Sequence, residues 1–260
     1  MFSITPMVRN LLIINVVVFL LQNGGIITME DFALHYFGSD YFRPVQLFSH
    51  MFMHGSWGHL LSNMFSLFIF GPMLERFWGP QRLLAFYLIT GLGASLLYTG
   101  VRAYELHNLQ EDTAIYIENP SPVAFDSYMD EHLGTGVGRE LTVAYLRNPD
   151  NPEYIEATRD MVSQVYTMVY NSPLVGASGA IFAILMAFGL LFPNLELMLL
   201  FLPVPIKAKY FVLFYGAYEL YAGFNRTPGD NVAHFAHLGG MLFAYILVRM
   251  WQRNDYQDNF

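Results

Sequence analysis

The chain has 260 residues, of which 54% are hydrophobic and only 13% charged, with a mean hydropathy of +0.35. Soluble domains carry about 25% charged residues, so this composition points to lipid rather than water as the solvent. The absence of cysteine excludes a disulfide frame and thiolate metal sites, and a net charge of −8 argues against nucleic acid as a partner.

From the N-terminus, Arg9 is the only early basic residue, and no small-residue cleavage pattern follows the apolar run Leu11 to Leu21. That run reads as an uncleaved signal anchor forming the first span. A spanning helix needs about 20 mostly apolar residues, and the candidates lie near 8–26, 57–74, 82–101, 173–193, 208–224 and 232–250. The third is the cleanest, since Leu83 to Val101 carries no charge. With Pro203 and Pro205, the stretch Leu197 to Ile206 reads as an interfacial connection rather than a seventh span.

Between the third and fourth spans, residues 103–160 hold twelve acidic residues and three arginines and no long apolar run. This is expected to be an extramembrane insert, a small cap packed on the membrane core. It is partly helical around Pro152 to Tyr170, where Val162, Val165 and Val169 share one face. With the N-terminus inside, the short inner segments hold Arg9, Arg76, Arg82, Lys207, Lys209, Arg249 and Arg253, and the outer ones Arg43, Arg102 and Arg226. The excess of inner basic residues predicts both termini inside and the acidic insert outside.

Polar residues within spans are costly and mark function. Three clusters qualify: His50, His54, His59 and Asn63; the Gly176 to Gly179 sequence GASG; and AHFAHLGG, Ala233 to Gly240. All three fall in the outer half of the bilayer under the orientation above. Ser178 is a nucleophile candidate, because Gly176, Ala177 and Gly179 leave its oxygen open beside a helix N-terminus. Small residues in spans also let helices pack closely, so GASG alone does not identify a nucleophile. His237 is the base candidate, with Gly240 and Ala244 on its face at +3 and +7; His234 is its rival. His59 and Asn63, four apart on one face, are suitable donors for an oxyanion or simply interhelical polar contacts. His50 and His54 fit a loop-holding or water-polarising role.

The sequences HMFMHGSWGHLLSNM, LERFWG, GASGAIF and AHLGGMLFA, in this order, resemble the rhomboid intramembrane proteases over all six spans. The resemblance implies an all-α membrane protein, a single domain over 1–260 built as a six-transmembrane-helix bundle, with the insert at 103–160. It implies a Ser-His dyad, Ser178 and His237, supported by Gly176, Gly179 and His54. His59 and Asn63, with the Ser178 N–H, would bind the oxyanion, and Phe182 would pack on the histidine where tyrosine is frequent in the family. Glu75, Arg76 and Gly79 match an inner-loop packing motif. Two features depart from the family pattern: the Trp-Arg pair of the first outer loop reads Val45-Gln46, and the insert is long.

The implied activity is cleavage of substrate transmembrane helices near their outer ends, with substrate entering between spans two and five. The partners are substrate transmembrane segments and the lipid bilayer; no cofactor and no metal are expected, and the location is a multi-pass one in a bacterial inner membrane with cytoplasmic termini. Two other readings are an inactive client-binding relative and a histidine-based metal enzyme or carrier. The latter is disfavoured because span four supplies no ligand and no carboxylate is expected beside the histidines within the membrane. No inverted repeat of broken helices suggests a transporter.

Overall fold

The computed structural model describes residues 3–199, 202–225, 230 and 232–257, and these are mostly helical. In chain order the elements are α1 (Pro6–Asn23), the short α2 (Met29–Phe32) and α3 (Gln46–Ser49), α4 (Trp57–Trp78) and α5 (Pro80–Glu118). They continue with α6 (Pro122–His132), α7 (Arg139–Arg147), α8 (Pro152–Tyr170) and α9 (Ser178–Leu191). A hairpin of β1 (Glu196–Leu199) and β2 (Leu202–Lys207) then leads into α10 (Ala208–Phe224) and α11 (His234–Gln257). Pro6, Pro80, Pro122 and Pro152 each open a helix, where a missing N–H costs nothing and the fixed φ is already helical.

α9 is apolar around its whole circumference, which fits a helix enclosed on all sides. It sits at the centre, packed by α4, α5, α10 and α11. The surrounding helices turn large apolar side chains outward: Ile13, Val17 and Leu20 on α1, Leu61 and Phe65 on α4, Leu213, Phe214 and Phe224 on α10. A surface this apolar suits lipid, not water. By length and composition two helices among the described residues could cross a membrane, Pro6–Asn23 and Pro80–Glu118, while α9 is apolar but shorter, at 14 residues.

α5 does not stop where its apolar stretch stops near residue 101; it runs unbroken for 39 residues into the acidic segment. There Leu106, Leu109 and Tyr116 of α5, Phe125, Tyr128 and Met129 of α6, and Val162 and Val165 of α8 form a second apolar core, with Val169 against it. The valine face expected on α8 is therefore buried. The expected interfacial connection at 197–206 is an antiparallel hairpin pairing Glu196 with Lys207 and Leu197 with Ile206. Arg226, assigned to an outer loop by sequence, lies outside the described residues.

Two polar side chains tie the ends of the bundle. Glu75, 4% exposed at the end of α4, accepts the N–H groups of Met7 and Val8 at 2.9 Å each. Its carboxylate thus sits on free donors at the N-terminus of α1, where a negative charge is favoured. Arg76 reaches the carbonyl and, at 3.0 Å, the hydroxyl of Ser3, and Gly79, at φ +84°, makes the turn into α5. At the opposite end, Gln46 is fully buried in the loop between α1 and α4. Its Nε2 donates to the carbonyls of Glu30 and Tyr41 at 2.9 Å, and its Oε1 accepts from the N–H of Arg43 at 3.1 Å and of His35 at 3.3 Å. Gln46 therefore holds this loop together although the Trp-Arg pair is missing. The loop in turn meets the chain after α8 through His35 Nδ1 and the Asn171 carbonyl (2.9 Å), the Ser39 hydroxyl and Asn171 Oδ1 (2.7 Å), and a Leu34–Leu174 bridge.

Replacing Gln46 by leucine strands several buried backbone groups at about 1–3 kcal/mol each. Gln46→Leu is expected to lower the melting temperature in detergent and to open the loop to proteolysis, whereas Val45→Ala, at an exposed position, is expected to change neither. Wild-type protease resistance in Gln46→Leu would show that the loop is anchored elsewhere.

Candidate active site

Ser178 is the first residue of α9, and the first backbone bond of that helix runs from the Ile181 N–H to the Ala177 carbonyl. The N–H groups of Ser178, Gly179 and Ala180 consequently have no acceptor within the helix, and such a group of donors favours an anion. The approach to the helix depends on Gly176, whose φ of +120° disfavours any side chain. A Cβ at Gly176 would also fall 2.6 Å from Cε1 and Nε2 of His59, so the His59 ring lies directly over the segment that leads to the serine. The Gly176 N–H is held by the His50 carbonyl at 2.9 Å, and His50 Nδ1 bonds the Gln46 carbonyl at 2.7 Å. The loop anchored by Gln46 thus supports the serine loop.

Gly179 and Gly240 bring α9 and α11 into backbone contact: a Cβ at Gly240 would lie 1.9 Å from the Gly179 carbonyl oxygen. A Cβ on Gly179 would meet the Ala94 Cβ of α5 at 2.6 Å. One turn from Gly240, the His237 ring stacks on Phe182, with centroids 4.0 Å apart and planes 7° from parallel. Phe182 lies one turn after Ser178 on α9. Two contacts, one through backbone and one through rings, therefore fix His237 against the N-terminal turns of α9. The Ser178 hydroxyl hydrogen-bonds to no side chain among the described residues. His59 and Asn63 follow each other by one turn of α4, and Asn63 Nδ2 is buried without a hydrogen-bond partner among the described residues. His54 packs edge-on against His59, with centroids 5.0 Å apart. A small cavity beside the serine is lined in part by Ser178, Gly176, His50, Met51, Ser95 and Ala236.

The structure corrects the expectation that no carboxylate accompanies the histidines. Glu219 of α10, 3% exposed, accepts on a single oxygen from His237 Nδ1 at 2.8 Å and from His234 Nδ1 at 2.6 Å. Asp230 reaches the other nitrogen of His234 at 2.9 Å. Both acids were visible in the sequence. Glu219 is an ionisable residue inside a candidate span, the usual mark of function, and Asp230 stands four residues before His234. Glu219, His234 and His237 also form a group with the composition of a metal site. Ligands that share one tetrahedral zinc at about 2.0–2.2 Å lie more than about 3 Å from one another. The separations of 2.6 and 2.8 Å are those of hydrogen bonds.

A sequence profile of the rhomboid domain matches residues 41–107 and 155–253, more than half of the chain. This chain belongs to the rhomboid family. Rhomboids are integral membrane proteins, in keeping with the apolar surface described above. The unmatched gap, 108–154, coincides with most of the acidic segment. Similar proteins include the mitochondrial RHOMBOID-like protein 12 of Arabidopsis thaliana, 28% identical over 227 residues, which are 87% of this chain and 50% of that protein. An uncharacterized mitochondrial rhomboid protein of Schizosaccharomyces pombe is 28% identical over 213 residues, 79% of this chain and 51% of its own length. Rhomboid protease AarA of Providencia stuartii is 39% identical over 69 residues, 26% of this chain and 25% of its own. The chain spans about half the length of the two mitochondrial relatives.

Gly240→Ala is expected to force α9 and α11 apart at about 1–3 kcal/mol or more. Gly100→Ala on α5, with nothing within 4 Å of the added carbon, is expected to be neutral or to stabilise by up to about 1 kcal/mol. Equal melting temperatures for Gly240→Ala and wild type would refute the backbone contact.

Burial lowers the pKa of His50 from 6.5 to about 4, against a smaller upward pull from the Gln46 and Leu47 carbonyls. A histidine kept neutral by folding contributes stability that is present above pH 6.5 and lost as the pH falls towards 4. The wild-type melting temperature is expected to drop across that window, and less steeply in His50→Gln. Parallel curves for the two proteins would contradict it.

Proposed function

We propose that this rhomboid is an intramembrane serine protease in which Ser178 is the nucleophile and His237 the general base. The observation that carries this reading is the pairing of the Gly179–Gly240 contact with the Phe182–His237 stack, which sets an imidazole against the N-terminal turns of the serine's helix. Apo catalytic hydrogen bonds are often long and tighten only with substrate, so an unpaired serine hydroxyl is compatible with it. In the proposed reaction Ser178 Oγ attacks the scissile carbonyl carbon while His237 Nε2 takes its proton. His59, the free amide of Asn63 and the exposed N–H groups at the start of α9 receive the negative oxygen. The C–N bond breaks as the imidazolium returns the proton to the leaving amine. Water, deprotonated by His237, then attacks the acyl-enzyme, and the imidazolium returns that proton to the leaving Ser178 Oγ as the carboxylic acid is released. The cavity beside the serine, with Ser95 and His50 on its wall, is a place for that water.

The proposed substrates are transmembrane segments of other membrane proteins. A helical peptide bond is shielded by its own hydrogen bonds, so the segment must unwind locally, and glycine or proline near the cut lowers that cost. The proposal keeps the six-span arrangement formed by α1, α4, α5, α9, α10 and α11, with both termini inside and the acidic segment outside. In that arrangement α9, at about 1.5 Å per residue, is shorter than a hydrocarbon core of about 30 Å. Its N-terminal serine would then lie below the outer headgroups. A bacterial inner membrane gains no support from the two long matches, both named as mitochondrial; the short match to a bacterial protease favours proteolysis. The second reading, an inactive client-binding relative, is disfavoured by the presence of both dyad residues in contact-bearing positions. The metal reading is disfavoured by the hydrogen-bond separations around Glu219.

A fluorophosphonate probe is expected to label the wild-type protein in proteoliposomes and not Ser178→Ala or His237→Ala. Cleavage of a transmembrane reporter should fall to background in both, while His234→Ala costs much less and retains part of the labelling. Cleavage by Ser178→Ala at the wild-type rate would remove the nucleophile assignment.

A further inference from the structure

We propose that Glu219 is a positioning residue for the reaction, the third member of a Ser178–His237–Glu219 relay. This inference rests on the reading of Ser178 and His237 as nucleophile and base. An ionised carboxylate only accepts hydrogen bonds. The 2.8 Å contact from His237 Nδ1 to Glu219 Oε2 therefore places the proton on Nδ1 and leaves Nε2 with the lone pair that a base needs. Phe182 fixes the plane of the ring and Glu219 fixes its rotation within that plane. When the serine proton arrives, the imidazolium forms beside a carboxylate in surroundings poor in water, where that charge interaction is strong.

The same geometry separates the two histidines. Both ring nitrogens of His234 face carboxylate oxygens, Glu219 at 2.6 Å and Asp230 at 2.9 Å. This arrangement is satisfied by an imidazolium, which has no lone pair to offer. His234 is thus the counter-ion that allows Glu219 to stay charged at 3% exposure, and His237 is the ring left free to act as base. The titratable groups around His237 are Glu219 and Tyr215 of α10, His234 with Asp230 behind it, and His59 of α4. Among them Glu219 is the group bonded to the ring.

A purely structural bolt between α10 and α11 would leave the chemistry unchanged once the protein folds, so the test reads chemistry. With a transmembrane reporter in proteoliposomes, Glu219→Gln is expected to lower kcat by about 10²- to 10⁴-fold with KM little changed. It should also move the acid limb of kcat/KM to lower pH, because the imidazolium loses its carboxylate. Glu219→Asp is expected to recover at least about a tenth of the wild-type kcat, an order of magnitude or more above the amide. Independently of activity, 15N-resolved NMR of the wild-type protein should show His237 as the Nδ1–H tautomer with a strongly downfield proton, a signal lost in Glu219→Gln. Wild-type kcat and pH profile in Glu219→Gln, or an Nε2–H tautomer in the wild type, would overturn the proposal. So would a stoichiometric metal in the purified protein bound through His237 Nδ1, whose removal is needed before any Nδ1–H signal appears. If the wild type fails to react with the fluorophosphonate probe, the protease reading falls, and the tautomer still decides whether Glu219 holds His237.

Discussion

The site depends on the distance at which α9 and α11 can pass. A carbon added at Gly240 would be driven into the Gly179 carbonyl, and one added at Gly179 would be driven into Ala94. Three helices, α5, α9 and α11, therefore meet with almost no side chain between them. In lipid no hydrophobic force draws helices together, and close packing of small residues is what remains. That contact sets the spacing at which the ring on one helix covers the aromatic on the next. A bulkier residue at either glycine would move His237 away from α9 without altering any residue of the proposed dyad.

Around this apolar centre a few buried polar side chains each hold more than one backbone group. Glu75 accepts two N–H groups at the start of α1, and Gln46 connects four backbone groups of a buried loop. Neither is near the serine, yet Gln46 controls an element that is. Gln46 bonds the segment preceding His50, and the His50 carbonyl holds Gly176. A chain of hydrogen bonds thus runs from the loop to the glycine that turns into α9. Asn63 Nδ2, like His54 Nε2 and Tyr87 Oη, is buried with no hydrogen-bond partner among the described residues, and it lies one turn from His59. Such a group is costly unless a ligand completes it, which is what an oxyanion donor would require.

Much of this was legible in the sequence because lipid restricts the alternatives. Helices occupy the six stretches read as spans, and Phe182 packs on His237 as the resemblance implied. The end of α5 was not legible. Hydropathy changes where the solvent changes, near residue 101, but the backbone bonds of a helix do not depend on which solvent surrounds it. Residues 102–118 contain no proline or glycine, so the helix continues to Glu118, two residues before Pro120. Gln46 was read as the loss of a family anchor, since a single amide gives no periodic signal and its many bonds exist only once the loop is closed. The role of Glu219 is not legible either, because a lone carboxylate in an aromatic-rich span does not show its partners, which lie on the next helix.

The position of Glu219 couples two properties of α10 that would otherwise be independent. α10 presents much of its surface outward, burying Ala208, Val212, Glu219, Ala222 and Gly223, and it meets α4 through Phe70 and Phe211, with ring centroids 6.3 Å apart. The packing of α10 is mainly on α9 and α11, and its contact with α4 is the slighter one. A carboxylate bonded to two histidines of α11 holds the Glu219 end of α10 in place, because separating it from both leaves charge unpaired in a medium that penalises it heavily. A substrate helix that entered between α4 and α10 would therefore have to displace the part of α10 before Glu219 while leaving its Glu219 end in place. Under the proposed mechanism that is the end that must not move, since the tautomer of His237 is set there.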